Sequence, residues 1–162
     1  MVDSDERVED FGQWVLARRS LLGISQAQLA SAAGITQPNV SAIESGARVA
    51  GQAVRERIER ALAATPSSLL SKTRERVLDV FTQYGQPAPK VFGSVARSQD
   101  TLDSDIDFMV EVNRPFLGKY KMIRDLEAVL TCRVDVVDAN ATPRIPRVAE
   151  RFAKAKQEAV PV

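Results

Sequence analysis

Apolar positions recur along this chain with two different periods, the helical one alone in its first part and both in turn in its second. From Val8 to Ala64 the apolar residues recur at helical spacing, broken by single glycines. Val8, Phe11, Trp14, Val15 and Leu22 predict a first helix that Gly23 ends. Ser25 is placed as the N-cap of a second helix, Gln26 to Ala33, with Ala27, Leu29, Ala30 and Ala33 on its inner side. Gly34 breaks it. Thr36 caps a third helix, Gln37 to Ser45, and Pro38 fits in its first turn. A fourth runs from about Gln52 to Ala64. The stretch Thr65-Pro66-Ser67-Ser68 reads as a linker between a first domain, 1–66, and a second, 67–162.

Beyond the linker, helical and strand periods alternate. Ser71 to Tyr84 is amphipathic, with Val77, Leu78, Val80 and Phe81 inward. Lys90 to Gly93 predicts a short strand, Asp105 to Val112 a second, and Arg133 to Val137 a third. Between the last two, Phe116 to Leu130 predicts a helix with Leu117, Tyr120, Ile123, Leu126, Glu127 and Leu130 at helical spacing. A final helix starts after Pro146 and runs toward Ala159. Asp125 and Glu127 are expected at the surface, and Asp138 as a cap at the end of the third strand.

Composition narrows the chemistry. The chain has 162 residues, 22 Lys and Arg against 21 Asp and Glu, one cysteine and no histidine. Without histidine there is no Ser-His-Asp or Cys-His nucleophile and no histidine-ligated zinc. Cys132 alone makes no intrachain disulfide. No apolar run reaches membrane-spanning length, and the acidic N-terminus lacks the pattern of a signal peptide. A cytoplasmic protein with no membrane partner is therefore expected. Residues 1–64 carry seven arginines against eight carboxylates, so the first domain is not a basic surface. Were this domain to bind a polyanion such as DNA, a monomer is expected to hold it weakly, and a homodimer or larger complex adds a second site.

Chemistry gathers in the second domain. Asp105 and Asp107 stand two apart, which on a strand sets both carboxylates on one face while Ile106 and Phe108 point to a core. Like charges so placed call for a cation between them. Gly93-Ser94, at a strand-to-helix junction, suits phosphate: glycine lets the backbone approach, and the following amides and the hydroxyl donate. Asp135, between Val134 and Val136, is a third carboxylate. Three carboxylates and a phosphate cradle are the parts of two-metal phosphoryl or nucleotidyl transfer.

Two resemblances follow from these residues. Ser25-Gln26-Ala27-Gln28-Leu29-Ala30, Gly34-Ile35-Thr36-Gln37 and Val40 to Gly46 resemble the helix-turn-helix of the phage-repressor-like (Cro/C1, XRE) family, over about residues 8 to 64. That resemblance implies an all-α bundle in which Gln37, Asn39 and Ser41 meet base edges of operator DNA and Gln26 meets phosphate. Gly93-Ser94-x-Ala96-Arg97, Ser104-Asp105-Ile106-Asp107 and Val134-Asp135-Val136-Val137 resemble the minimal nucleotidyltransferase family of the polymerase-β-like superfamily, over about residues 71 to 162. This implies an α+β domain with a small mixed sheet. It implies two Mg²⁺ ions held by Asp105, Asp107 and Asp135, with Asp135 also acting on the incoming hydroxyl. Gly93 and Ser94, assisted by Arg97, would hold the phosphates of ATP. Ser98 stands where that family usually has glycine. Members of this kind serve as antitoxins beside HEPN-domain toxins. The combination implies AMP transfer to a tyrosine of such a toxin, with the operon repressed through the helix-turn-helix. Two other readings fit the residues: a catalytically inactive repressor that neutralises by binding alone, and a nucleotidyltransferase acting on a small molecule.

Overall fold

The structure, a computed structural model, describes residues 11–112 and 118–162. It separates into two compact units, Met1–Ala63 and Ala64–Val162, each with its own apolar core.

The first unit is built from α1 (Phe11–Leu22), α2 (Gln26–Ala33), α3 (Gln37–Glu44) and α4 (Gln52–Ala61). The expected start of the first helix at Val8 lies outside the described residues. Local chemistry fixes the turns. Ser25 caps α2 by accepting from the Gln28 N–H, and the Gln28 side chain accepts from the Ser25 N–H in return, so two orphan donors are satisfied together. Gly34 ends α2 at φ +62°, a left-handed conformation that glycine adopts without penalty. Thr36 then caps α3 through the Asn39 N–H, with Pro38 in the first turn. Val15, Leu29, Val40 and Ile58 are fully or almost fully buried in the shared core. Gly12 lets α1 lie directly against the end of α3, because a Cβ there would run into the Ile43 carbonyl.

The second unit opens with α5 (Pro66–Gln83). The expected linker is thus the start of this helix. Thr65 is its N-cap residue, extended at φ −72° and ψ 148°, and Pro66 takes the first helical position. The free Ser67 N–H donates to the Asp100 carboxylate at 2.8 Å, a side-chain cap supplied from a distant loop. There follow β1 (Lys90–Phe92), the single turn α6 (Gly93–Ala96), β2 (Ile106–Val110), α7 (Lys119–Leu130), β3 (Val134–Asp138), α8 (Pro146–Glu158) and β4 (Val160–Pro161). The sheet order is β3-β2-β1-β4. β2 and β3 run parallel, while β1 is antiparallel to both β2 and β4. It is a small mixed sheet, as the resemblance implies.

β2 is shorter than its apolar run. Its ladder to β3 spans Ile106 to Val110, and the Val112 N–H turns instead to the Asp138 carboxylate at 3.2 Å. Asp105 therefore precedes the strand and does not belong to it. The expected beginning of α7 at Phe116 and Leu117 lies outside the described residues. Tyr120 is 84 % exposed and not part of the core. The apolar face of α7 is instead Met122, Leu126 and Leu130, which pack beneath the sheet with Phe81 and Phe108. Two helix carboxylates expected at the surface tie elements together. Asp125 accepts the Tyr84 hydroxyl at 2.6 Å, and Glu127 accepts the Val134 N–H at the head of β3. Asp138 caps as expected, taking the Asn140 N–H at 2.9 Å. Among the described residues no helix is long and apolar enough to cross a membrane.

Candidate active site and helix-turn-helix face

The register places the carboxylates before any side chain is considered. Asp107 on β2 pairs directly with Asp135 on β3 and with Phe92 on β1. Phe92 is followed at once by Gly93, so the turn of α6 and the three aspartates meet at one end of the sheet. Asp107 is half-buried, whereas Asp105 and Asp135 are exposed. Ile106 and Phe108 are fully buried on the other face, as strand alternation requires.

Gly93 is at φ +72°, and a Cβ there would lie 2.6 Å from Asp107 Oδ2. The missing side chain therefore leaves a small cradle over the Asp107 carboxylate, lined by the α6 backbone. Burial pushes the Asp107 carboxyl above the ordinary aspartate range, and the neighbouring Asp135 and Asp105 charges push it further up. Arg97 pulls it back. A carboxylate so destabilised by two others is a site that a cation relieves.

Not every expected group converges. Asp135 Oδ1 accepts the Val136 N–H at 2.8 Å, so this carboxylate rests on its own strand. Among the described residues, no three carboxylate, thiol or imidazole side chains close into a ready metal cage. The donor set fits a divalent cation in kind, with hard oxygen donors over an open glycine turn. Ser94 is half-buried in α6. Arg97 is committed to Glu158 at 2.8 Å and to Gln99 at 3.2 Å. Glu158 is a participant that sequence spacing missed, being sixty-one positions from Arg97. Ser98, one residue on, is at φ +55°, the left-handed region in which glycine is the favoured residue.

The helix-turn-helix face is a hydrogen-bonded chain. Glu44 is 4 % exposed and accepts two bonds from Arg19, at 2.6 and 3.1 Å, and one from the Gln26 amide at 2.8 Å. The Gln26 oxygen in turn accepts from the Gln37 amide at 2.7 Å. A carboxylate only accepts, so Gln26 must offer its NH₂ to Glu44 and its oxygen to Gln37. Gln37 then keeps its own oxygen and one N–H for an outside partner. Asn39 accepts from Arg48 at 2.8 Å, and Ser41 lies on the same helix, α3. The structure thus brings Gln26 and Gln37 into contact and sets Asn39 beside Arg48. Arg19, a basic residue the sequence offers for the DNA backbone, is instead held by Glu44, which carries no signal in the spacing of the sequence.

Comparison with known proteins agrees with both geometries. The Helix-turn-helix family matches residues 16–69, and the Polymerase beta, Nucleotidyltransferase family matches residues 79–156. A candidate protein adenylyltransferase from Methanocaldococcus jannaschii is 28 % identical over 74 residues, which is 44 % of this chain and 80 % of that protein. A solved structure of a candidate minimal nucleotidyltransferase is 35 % identical, with a TM-score of 0.48, covering 59 % of this chain and 95 % of that one. Residues 79–156 thus match the Polymerase beta, Nucleotidyltransferase family, and an XRE-type helix-turn-helix, matched over residues 16–69, stands ahead of them.

Proposed function

We propose that this protein is a bifunctional antitoxin. Its second unit transfers AMP from ATP to a tyrosine hydroxyl of a HEPN-domain toxin. Its first unit represses the shared operon. The observation that carries the enzymatic half is the direct pairing of Asp107 with Asp135 beneath the open turn at Gly93. The name of the Methanocaldococcus jannaschii relative, a candidate protein adenylyltransferase, supports a protein as acceptor.

In this reading Gly93 and Ser94 bind the β- and γ-phosphates through backbone N–H groups and the hydroxyl. Asp105 and Asp107 hold Mg²⁺ together with Asp135. The ions supply charge neutralisation on the triphosphate when bound. Asp135 takes the proton of the incoming hydroxyl. The hydroxyl oxygen forms a bond to the α-phosphorus, the bond to the bridging oxygen breaks, and pyrophosphate leaves. Arg97 supports the phosphates once it exchanges Glu158 for them.

The test is incubation with α-labelled ATP, Mg²⁺ and the purified product of the adjacent gene. Label on that protein, lost in Asp105→Ala/Asp107→Ala, is the expected result. Neutralisation that persists in the double variant with no label transferred by the parent chain overturns it. That outcome favours neutralisation by binding alone. For the first unit, Gln37 and Asn39 read base edges, Ser41 adds a contact on the same face, and Gln26 meets phosphate. Gln37→Ala is expected to weaken operator binding by ~1–3 kcal/mol. An unchanged footprint and affinity would remove Gln37 from that role.

A further inference from the structure

Helix α8 (Pro146–Glu158) is amphipathic by sequence, yet none of its residues is buried. Ile145, just ahead of the helix, Val148 and the half-buried Phe152 follow one another at i, i+3 and i+7, forming an apolar stripe. Ile145 is 64 % exposed and Val148 46 %. One position earlier in each case stand Arg144, Arg147 and Arg151, all exposed, so a stripe of guanidinium groups runs alongside the apolar one. Among the described residues these three arginines have no hydrogen-bond or ion-pair partner. Residues 144–158 hold five basic side chains and two acidic ones in a chain whose net charge is only +1. Both of the segment's lysines are engaged, Lys156 with the Ala139 carbonyl at 2.8 Å and Lys154 with Glu158 at 3.6 Å.

The position of α8 gives this surface a meaning. The helix packs on β1 and on α6, the turn that carries Gly93 and Ser94. Its last residue, Glu158, holds Arg97 at 2.8 Å. The helix thus has its C-terminal end at the cradle, and Arg147 and Val148 lie roughly 15 Å back along its axis.

We infer that α8 is the docking surface for the protein acceptor, and that the acceptor presents an apolar strip flanked by carboxylates. The inference rests on the protein-modifying reading above and adds to it where the substrate is gripped. Charge complementarity selects the acidic flank. The apolar stripe selects protein over nucleic acid, whose backbone offers charge but no apolar strip. A membrane surface fits less well, since the C-terminal half of α8 is held on the sheet by Lys156 and Glu158 and is not free to submerge.

The experiment titrates the full chain against the purified product of the adjacent gene, with transfer RNA and phosphatidylserine vesicles as parallel probes. Arg144→Glu/Arg147→Glu/Arg151→Glu and Ile145→Ser/Val148→Ser are each expected to weaken binding to the protein at least about tenfold, with melting curves like the parent. Asp105→Asn is expected to abolish transfer and leave binding intact. Variants that bind within twofold of the parent, a parent that does not bind, or an affinity confined to RNA or vesicles overturn the docking assignment. Loss of affinity in the α8 variants without any AMP transfer by the parent leaves docking standing and removes the transferase reading.

Discussion

Asp107 is held in a position that costs folding energy. Burial and the charges of Asp135 and Asp105 raise its carboxyl pKa in the folded state. A group whose folded pKa lies above its unfolded value binds more protons folded than unfolded. Its favourable contribution is therefore complete at acid pH and is lost as pH rises through the raised value. At neutral pH, Asp107→Asn is expected to raise the melting temperature of the second unit by a few degrees in the presence of a chelator. The gain shrinks as pH falls through the raised value and is gone below the ordinary aspartate range. On the proposed metal site, excess Mg²⁺ is expected to narrow the gap from the other side by stabilising the parent and not the variant. Thermal scans across pH, with and without metal, check all three points. Ser98 is strained for a different reason, its φ of +55°. Relief of a left-handed side chain is worth about 1–2 kcal/mol, against about 0.5–1 kcal/mol for the extra freedom glycine gives the unfolded chain. The difference favours Ser98→Gly by about 0.5–1 kcal/mol, measurable by urea titration of the second unit.

At the scale of elements, the first unit is tied by one carboxylate. Glu44 on α3 receives Arg19 from α1 and Gln26 from α2. Glu44→Ala leaves the partly buried Arg19 guanidinium without its counter-charge, a loss of about 3 kcal/mol or more. Chemical denaturation of the first unit checks this, and a change under 1 kcal/mol would rank the pair with ordinary surface salt bridges. How far such elements can be read in advance depends on where their determinants lie. Ser25, Gly34 and Thr36 act on the backbone within a few residues, and the turns they make are legible in sequence. Thr65-Pro66-Ser67-Ser68 is not, because serine and proline serve a linker and a helix start equally. Asp100, thirty-three positions from Ser67, supports the helix start by accepting the Ser67 N–H. The same limit hid β4, two residues long and without a period, whose partner Val91 precedes Val160 by most of the domain. The three aspartates and Gly93 were legible as a set. Their unequal burial, the resting bond of Asp135 to Val136 and the Arg97–Glu158 pair were not, since each depends on what the fold brings near.

For the whole molecule, two cores give two unfolding events. Each unit is centred on its own fully buried residues, Val15, Leu29 and Ile58 in one and Phe81, Phe108 and Leu126 in the other. Calorimetry is expected to resolve two transitions, one raised by operator DNA alone and the other by Mg²⁺ and ATP alone. A single transition shifted by both ligands would show that the units unfold as one. Charge also acts at this scale. The chain as a whole is nearly neutral, with an isoelectric point near 7.9, while Arg144, Arg147 and Arg151 crowd the start of α8 and the rest of the sequence is acidic on balance. Repulsion between copies is therefore feeble, and the guanidinium stripe of one copy is drawn to the carboxylates of another. Dilute buffer is then the less hospitable medium. Added salt screens that attraction within a Debye length, so this protein should dissolve more readily in saline than in near-pure water.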